Sequence, residues 1–312
     1  MERTELGALA EGGVLVTSRA VEAGWPRHAL SRWLTSRGWA RVRNGVWAEP
    51  GRTVDTQLRL KAVQAVRPEL VVSHGAAARL WRIETLTGRA ATDQLEFTSP
   101  TSTGRTTLPG ARLHRLPLPQ TEVVVLRSGL RVTEAPRTLA DLLRSGPRDN
   151  ALVAVDSALG YRRVGGVRRP PLVSPAALAV ALEAPYKGAA RARQWLTLAD
   201  RASGSPAETI ARLRMHDAGL HPETQAEVRT REGTRRYLDF LFRAQGLAVE
   251  IEGYAYHGTR DAHRRDITRF NELLRCPDIH TLLRFTAEDV FHHPTLMIQQ
   301  IREVLNPEPE LG

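Results

Sequence analysis

Five side chains towards the C-terminal end combine types and spacings that can do chemistry: Glu208, Asp239, Glu250, Glu252 and His257. Glu250 and Glu252 stand two apart in LAVEIEG, a run that reads as a strand, and residues two apart in a strand point to one face. Asp239 belongs to the preceding strand-like run, LDFLF, and the short turn RAQG brings it close to Glu250 or Glu252. Like charges so placed repel unless something cationic holds them. Carboxylates are hard oxygen ligands suited to Mg2+ or Mn2+. An ion held by Asp239 with Glu250, Glu252 or both can bind a phosphate, lower the pKa of an attacking water and neutralise the leaving oxygen. Taken singly, the acids have plainer readings. Asp239 can pair with Arg235 or Arg243, and Glu250 and Glu252 can face solvent while Val249 and Ile251 enter the core. Glu208 suits the first turn of a helix on electrostatic grounds alone.

These groups need a scaffold. SPAETIARLRMHDAG reads as a helix carrying Glu208, with Ser205 as its cap, Pro206 in its first turn and Gly219 as its stop. Three strand-like runs follow, QAEVRT, TRRYLDFLF and LAVEIEG, separated by REGT and RAQG. DAHRRDITRFNELLR is a helix with Ile267, Phe270, Leu273 and Leu274 as its apolar stripe. IHTLLRFT is a fourth strand, and TAEDVFHHPTLMIQQIREVL a closing helical region in which His292 and His293 read as surface. Residues 203–305 are thus expected to form an α/β, nuclease-like core, with residues 306–312 a frayed tail.

The first fifty residues predict three short helices, LGALAEGG, TSRAVEAG (capped by Thr17 or Ser18) and PRHALSRWLTSRG. A hairpin follows, WARVRNGVWAEP, turning at Asn44-Gly45. That order is a winged helix-turn-helix, spanning residues 1–51. Between Ala23 and Ala48 there is no acid, while Arg27, Arg32, Arg37, Arg41 and Arg43 are present. The third helix is expected in a DNA major groove and the wing on the backbone or minor groove. A small domain that binds protein is the other reading.

Residues 52–202 read as a mixed α/β region and linker. DTQLRLKAVQAVRP, VTEAPRTLADLLR, ALVAVDSALG, SPAALAVALEA and RARQWLTLAD look helical. LVVSHGAAARLW is a strand end and helix, and DQLEFTSP and ARLHRLPL are strands around a TSTGRTTLPG loop. YRRVGGVRRPPLVSP is an exposed connection. His74 and His114 stand beside apolar runs and are read as structural, so no chemistry is assigned here.

Composition sets the class. The chain has 312 residues, enough for two or three domains, and its 42% hydrophobic and 25% charged residues are those of an ordinary soluble protein. No run long enough to span a membrane appears, MERTELGALAEGG lacks a signal-peptide pattern, and the lone Cys276 excludes an internal disulfide or cysteine-based zinc cluster. A cytoplasmic protein is expected. The net charge of +10 and pI of about 10.7 point to a polyanion partner. Arginine supplies all but two of the 44 basic residues; GC-rich coding explains much of that bias, but the planar forks suit phosphate. The lysines are Lys61 and Lys187, so none follows position 187.

Asp239, ten residues, Glu250-Ile251-Glu252-Gly253 and then His257 together resemble the PD-(D/E)XK nuclease superfamily, and within it the very-short-patch-repair-like endonuclease domains of bacteria. The resemblance covers roughly residues 203–305 and includes Ser205-Pro206, Glu208, Gln225, Asp266, Arg269 and LLRFTAEDV. It implies a restriction-endonuclease-like core whose site comprises Glu208, Asp239, Glu250, Glu252 and His257. Asp239, Glu250 and Glu252 would hold Mg2+ or Mn2+. GGVLVTSRAV, RHALSRWL and VRNGVWA resemble the antitoxin-type winged helix of the AbiEi family, and SHGAAARLW and EAPRTLADLL the segment that commonly follows it.

One position departs from the superfamily pattern. Where it often has a lysine, two residues after the second acid, this chain has Glu252, and no lysine nearby replaces it. A lysine base is therefore excluded; the branch resembled also places an acid there, with a histidine nearby. His257 becomes the candidate base or water-positioning group, because imidazole titrates near neutral pH. Arg260, Arg264 and Arg269 are placed to hold phosphates, and Tyr254 and Tyr256 to wall the cleft and stack on a displaced base. The expected function is metal-dependent DNA endonuclease, a repair-type nickase or a defence nuclease acting on duplex DNA, damaged or mismatched in the repair case. The alternative is a DNA-binding antitoxin or autorepressor whose nuclease fold does not cut.

Overall fold

Alternating apolar runs and helical stripes fold into a mixed α/β protein with several sheets. The computed structural model describes residues 5–86, 94–100, 107–164, 166–252, 268 and 270–306. The chain divides into two units. One comprises Met1–Arg82 with Thr87–Leu142, the other Ile83–Leu86 with Leu143–Gly312.

The first unit begins with β1 (Val14–Val16), α1 (Thr17–Glu22), α2 (Arg27–Ser36), β2 (Ala40–Arg43) and β3 (Val46–Ala48), the strands forming an antiparallel sheet ordered β1-β3-β2. Asn44-Gly45 makes the expected hairpin turn, with Gly45 at φ +75°. LGALAEGG, expected as a helix, is instead a set of turns, and VLV after it is a strand pairing Val14 with Ala48. Gly12 and Gly13, at φ +61° and +87°, stop any helix before it could cooperate, and hand the chain to a distant partner strand. Leu30 and Leu34 of α2 pack with Leu15, Trp25, Trp39 and Trp47. α3 (Thr56–Val66), capped by Asp55, adds Leu58 and Ala62 against Val14, Val46 and Ala48.

A five-stranded sheet follows in the same unit, from β4 (Val71–Val72), α4 (His74–Leu80), β5 (Leu95–Ser99), β6 (Ala111–Arg115), β7 (Val123–Val125), β8 (Arg131–Thr133) and α5 (Ala135–Ser145). Its order is β6-β5-β4-β8-β7, around a core that includes Leu70, Val72, Phe97, Leu130 and Val132. On α5, Arg137 donates from Nε to both oxygens of Asp141, at 3.0 and 2.9 Å, and from Nη1 to Glu122. Both members of the i,i+4 pair are buried, Arg137 at 2% exposure and Asp141 at 0%.

The second unit contains α6 (Arg148–Leu159), the hairpin of β9 (Arg162–Val164) and β10 (Val167–Arg169), α7 (Pro175–Ala181), α8 (Ala189–Leu196) and α9 (Pro206–Asp217). Then come β11 (Glu223–Arg229), β12 (Arg235–Phe242), β13 (Leu247–Glu252), β14 (Thr281–Thr286), α10 (Ala287–His292) and α11 (Pro294–Leu305). The sheet runs β11-β12-β13-β14; its first two junctions are antiparallel and the last is parallel. A parallel pair needs a crossover, and the helical residues 270–273, with buried Leu273, lie in it. The closing helical region is two helices because Pro294 has no N–H to continue α10. α6 and α9 are tied by buried Asp156, which accepts from Thr209 Oγ1 at 3.0 Å and Arg212 Nη2 at 2.7 Å. Among the described residues no helix is long and apolar enough to cross a membrane.

Candidate active site

Three elements meet at the acids. The ladder between β12 and β13 runs from Phe242↔Leu247 to Phe240↔Val249. One step further, in the same register, Asp239 and Glu250 are opposite. There the side chains replace the backbone ladder. Asp239 Oδ2 accepts the Ile251 N–H at 2.8 Å, and Glu250 Oε1 accepts the Asp239 N–H at 3.4 Å. The strands part at this point with their amides occupied by carboxylates.

Glu208 arrives from α9. Ser205 Oγ accepts the Glu208 N–H at 3.2 Å, and Glu208 Oε2 accepts the Gly204 N–H at 2.7 Å, so the helix's first turn fixes the carboxylate. Gln225 on β11 joins the two sites. Its Nε2 donates to Asp239 Oδ1 at 3.0 Å and to Glu208 Oε2 at 3.2 Å. Gln225 adopts φ +48°, a conformation a non-glycine residue rarely takes. The sequence contains Gln225 in its motif but gives no hint of this bridging role, because glutamine does not signal a left-handed residue.

Glu252 stands apart from that cluster. Arg284, on the parallel strand β14, donates Nη2 to its Oε1 at 2.6 Å and lies 5.1 Å from the centre of the Phe270 ring. The ion pairs considered for Asp239 do not form, since Arg243 binds Glu223 and Arg235 lies at Glu227. His257, Arg260, Arg264 and Arg269, with Tyr254 and Tyr256, lie outside the described residues.

Burial raises the Glu208 pKa first and the charge of Asp239 next, while hydrogen bonds from Gly204, Ser205 and Gln225 pull it down; the balance leaves it at about 7. A buried acid beside a half-buried one is a repulsion that a divalent cation would relieve, and the carboxylate and amide oxygens are the right kind of donor. As the side chains stand, however, no three His, Cys, Asp or Glu form a metal-ligand group among the described residues. The Gln225 amide donates to both Glu208 and Asp239 instead.

The raised Glu208 pKa has a stability consequence. A carboxyl that is harder to ionise when folded stabilises the fold below its unfolded pKa, near 4.5, and loses that contribution as pH rises towards about 7. Thermal unfolding of the second unit, compared between wild type and Glu208→Gln, should show a wild-type penalty at pH 8 that disappears near pH 5. Mg2+ or Mn2+ should remove the penalty at pH 8. A wild-type-minus-variant difference independent of pH would show that Glu208 ionises normally.

The arginines of the first unit form a separate surface. Arg27, Arg32, Arg37 and Arg41 are exposed, Arg37 lies 5.3 Å from the centre of the Trp33 ring, and Arg41 donates to Asn44 Oδ1 at 3.1 Å. Arg43 is half-buried, and burial, then the charge of Arg67, lower its pKa from the usual arginine value.

No protein-family model matches the chain. Two uncharacterized proteins of Mycobacterium tuberculosis, from two strains, are 29% identical to it over 198 residues, a match spanning 63% of this chain and 66% of theirs. A crystal structure of another Mycobacterium tuberculosis protein, 18% identical, aligns with 70% of this chain and 84% of its own at a TM-score of 0.39, a likeness that carries no argument about fold.

Proposed function

We propose that this protein is a metal-dependent DNA endonuclease with a restriction-endonuclease-like catalytic core and an N-terminal winged helix that holds duplex DNA. The observation that carries the reading is the convergence of Asp239 and Glu250 where β12 and β13 part, with Glu208 tied to Asp239 through Gln225. The order of α9, three antiparallel strands, a crossover and a parallel strand supports it. In this reading Asp239, Glu250 and Glu208 would hold Mg2+ or Mn2+, which would supply positive charge for the scissile phosphate and lower the pKa of the attacking water. Glu252, engaged by Arg284, sets the outer edge of the site, and His257 takes the proton from the water. Arg27, Arg32, Arg37, Arg41 and Arg43 grip the duplex through its phosphates.

The Arg284–Glu252 pair, which engages one of the acids expected at the metal, favours one second reading, a DNA-binding autorepressor of antitoxin type. Incubation with supercoiled plasmid separates the two. Nicked or linear product with Mg2+ or Mn2+, abolished by EDTA, is expected. A protein that retards DNA in a gel but leaves the plasmid intact under both metals would be the autorepressor.

A further inference from the structure

A cleft of about 370 Å3 opens in the first unit where three stretches of chain come together: the turn at Gly12 before β1, one side of α3, and the Ser128-Gly129 turn that leads into β8. Gln64 of α3 fixes one wall. Its Nε2 donates to the Leu70 and Arg131 carbonyls at 2.9 and 2.8 Å, and its Oε1 accepts the Arg131 N–H at 3.0 Å. Both backbone groups of Arg131 are thus tied to the helix, and Arg131 lines the cleft with Lys61 of α3 and Arg19 of α1.

The lining carries these three cations and one acid, Glu11. Glu11 is engaged by Arg19, whose Nη1 lies 2.6 Å from its Oε2. Among the described residues Lys61 and Arg131 bond only main-chain oxygens. Lys61 Nζ donates to the Gly12 carbonyl at 3.3 Å, and Arg131 Nη1 donates to the Pro68 carbonyl. A carbonyl satisfies a donor but does not neutralise a charge. Ser128 lines the same cleft, and its Oγ is shielded from water with no hydrogen-bond partner among the described residues. A polar atom so left costs free energy until a partner reaches it.

An anion supplies what this lining lacks, and the count selects among anions. A carboxylate brings one charge, and a DNA backbone diester brings one charge per phosphate. A phosphomonoester brings nearly two charges near neutral pH and three acceptor oxygens. That matches two cations without a carboxylate and one hydroxyl without a partner. The arginine fork fits phosphate oxygens, and lysine meets them as a point charge. The volume lies within the range of small-molecule pockets, about 300–1,000 Å3, and the lining includes Val14, Ala65 and Leu130 as apolar wall.

We propose that this cleft binds a phosphate dianion, free or as the monoester end of a small molecule, through Lys61, Arg131 and Ser128. The site rests on no part of the nuclease reading. Titration calorimetry of the full chain tests it with three probes: inorganic phosphate, adenosine 5'-monophosphate and adenosine. The two phosphate probes should bind at one site per chain and adenosine should not. The monophosphate will bind tighter than phosphate if the apolar wall holds an organic part, and equally if the free ion is the ligand. Lys61→Gln with Arg131→Gln should weaken binding about a hundredfold, the loss of two charge-assisted hydrogen bonds. Ser128→Ala should weaken it about fivefold. The Ser128 hydroxyl bonds nothing in the protein, so this variant should keep the wild-type thermal midpoint, and it decides the matter if the double variant unfolds. Adenosine binding as tightly as its monophosphate overturns the proposal. So does a wild-type chain that neither phosphate probe saturates at millimolar concentration. Unchanged phosphate affinity in the Ser128→Ala and double variants overturns it too, and assigns the anion to other arginines.

Discussion

Asp239→Asn should lower plasmid cleavage by about a hundredfold to a thousandfold, the loss expected when several kcal/mol of charge stabilisation leave a metal-assisted transition state. Affinity for DNA should stay level or rise, because one negative charge facing phosphate is gone. The substitution is not silent structurally. Both Asp239 oxygens accept N–H groups, one from Ile251 and one from Gln225. An asparagine has a single acceptor oxygen, so one of those contacts becomes donor against donor, costing about 1–3 kcal/mol where it is buried. Unfolding must therefore be measured beside cleavage. Glu250→Gln is the companion variant on the facing strand, where Glu250 accepts the Asp239 N–H at 3.4 Å. It should lose cleavage to a similar degree. Full nicking by both variants would remove the carboxylate pair from the mechanism.

The largest effect on stability should come from Asp141→Ala. Arg137 and Asp141 are both removed from water, and Nε of the arginine bonds both carboxylate oxygens. Burial works against the guanidinium charge, but Asp141 and then Glu122 more than offset it and hold the Arg137 pKa above the usual arginine value. Deleting Asp141 strips a buried cation of its main counter-charge, which costs about 3–5 kcal/mol. A domain has only about 5–15 kcal/mol in all, so the first unit should be partly unfolded at 37 °C. Glu122→Ala should cost less, because the Glu122 side chain is 30% exposed and already solvated. Replacing the pair together, Arg137→Met with Asp141→Leu, should recover much of the loss, since no charge is then buried. Urea unfolding of the three proteins measures all of this. A single variant within 1 kcal/mol of wild type would show that water reaches the guanidinium.

Much of the second unit was legible in the sequence for local reasons. The short turn ending at Gly246, with φ +62°, fixes the register of β12 and β13, and alternation then places Asp239 opposite Glu250. Ser205 and Pro206 announced α9 and with it the position of Glu208. What escaped was set by distant partners. Arg284 meets Glu252 only because β14 returns parallel to β13 after a long crossover, and no local pattern states that register. VLV was too short to read as a strand without β3 beside it. The β9–β10 hairpin is a different case. Val-Gly-Gly-Val carries a turn signal, but the flanking prolines and arginines drew the reading towards loop.

The parallel junction of β13 with β14 also bears on how the chain is made. β11, β12 and β13 can pair as soon as they exist, but β14 follows only at Thr281–Thr286. Until then β13 is an open edge, and its LAVEI run is the kind of apolar, β-prone segment that stacks between chains. Glu250 and Glu252 are the acids on that edge. Acids so placed would oppose pairing between chains while β14 is still missing. Neutralising both should lower the yield of soluble protein from expression by more than the equilibrium stability of the refolded chain would suggest. The same two charges would then serve folding first and chemistry afterwards.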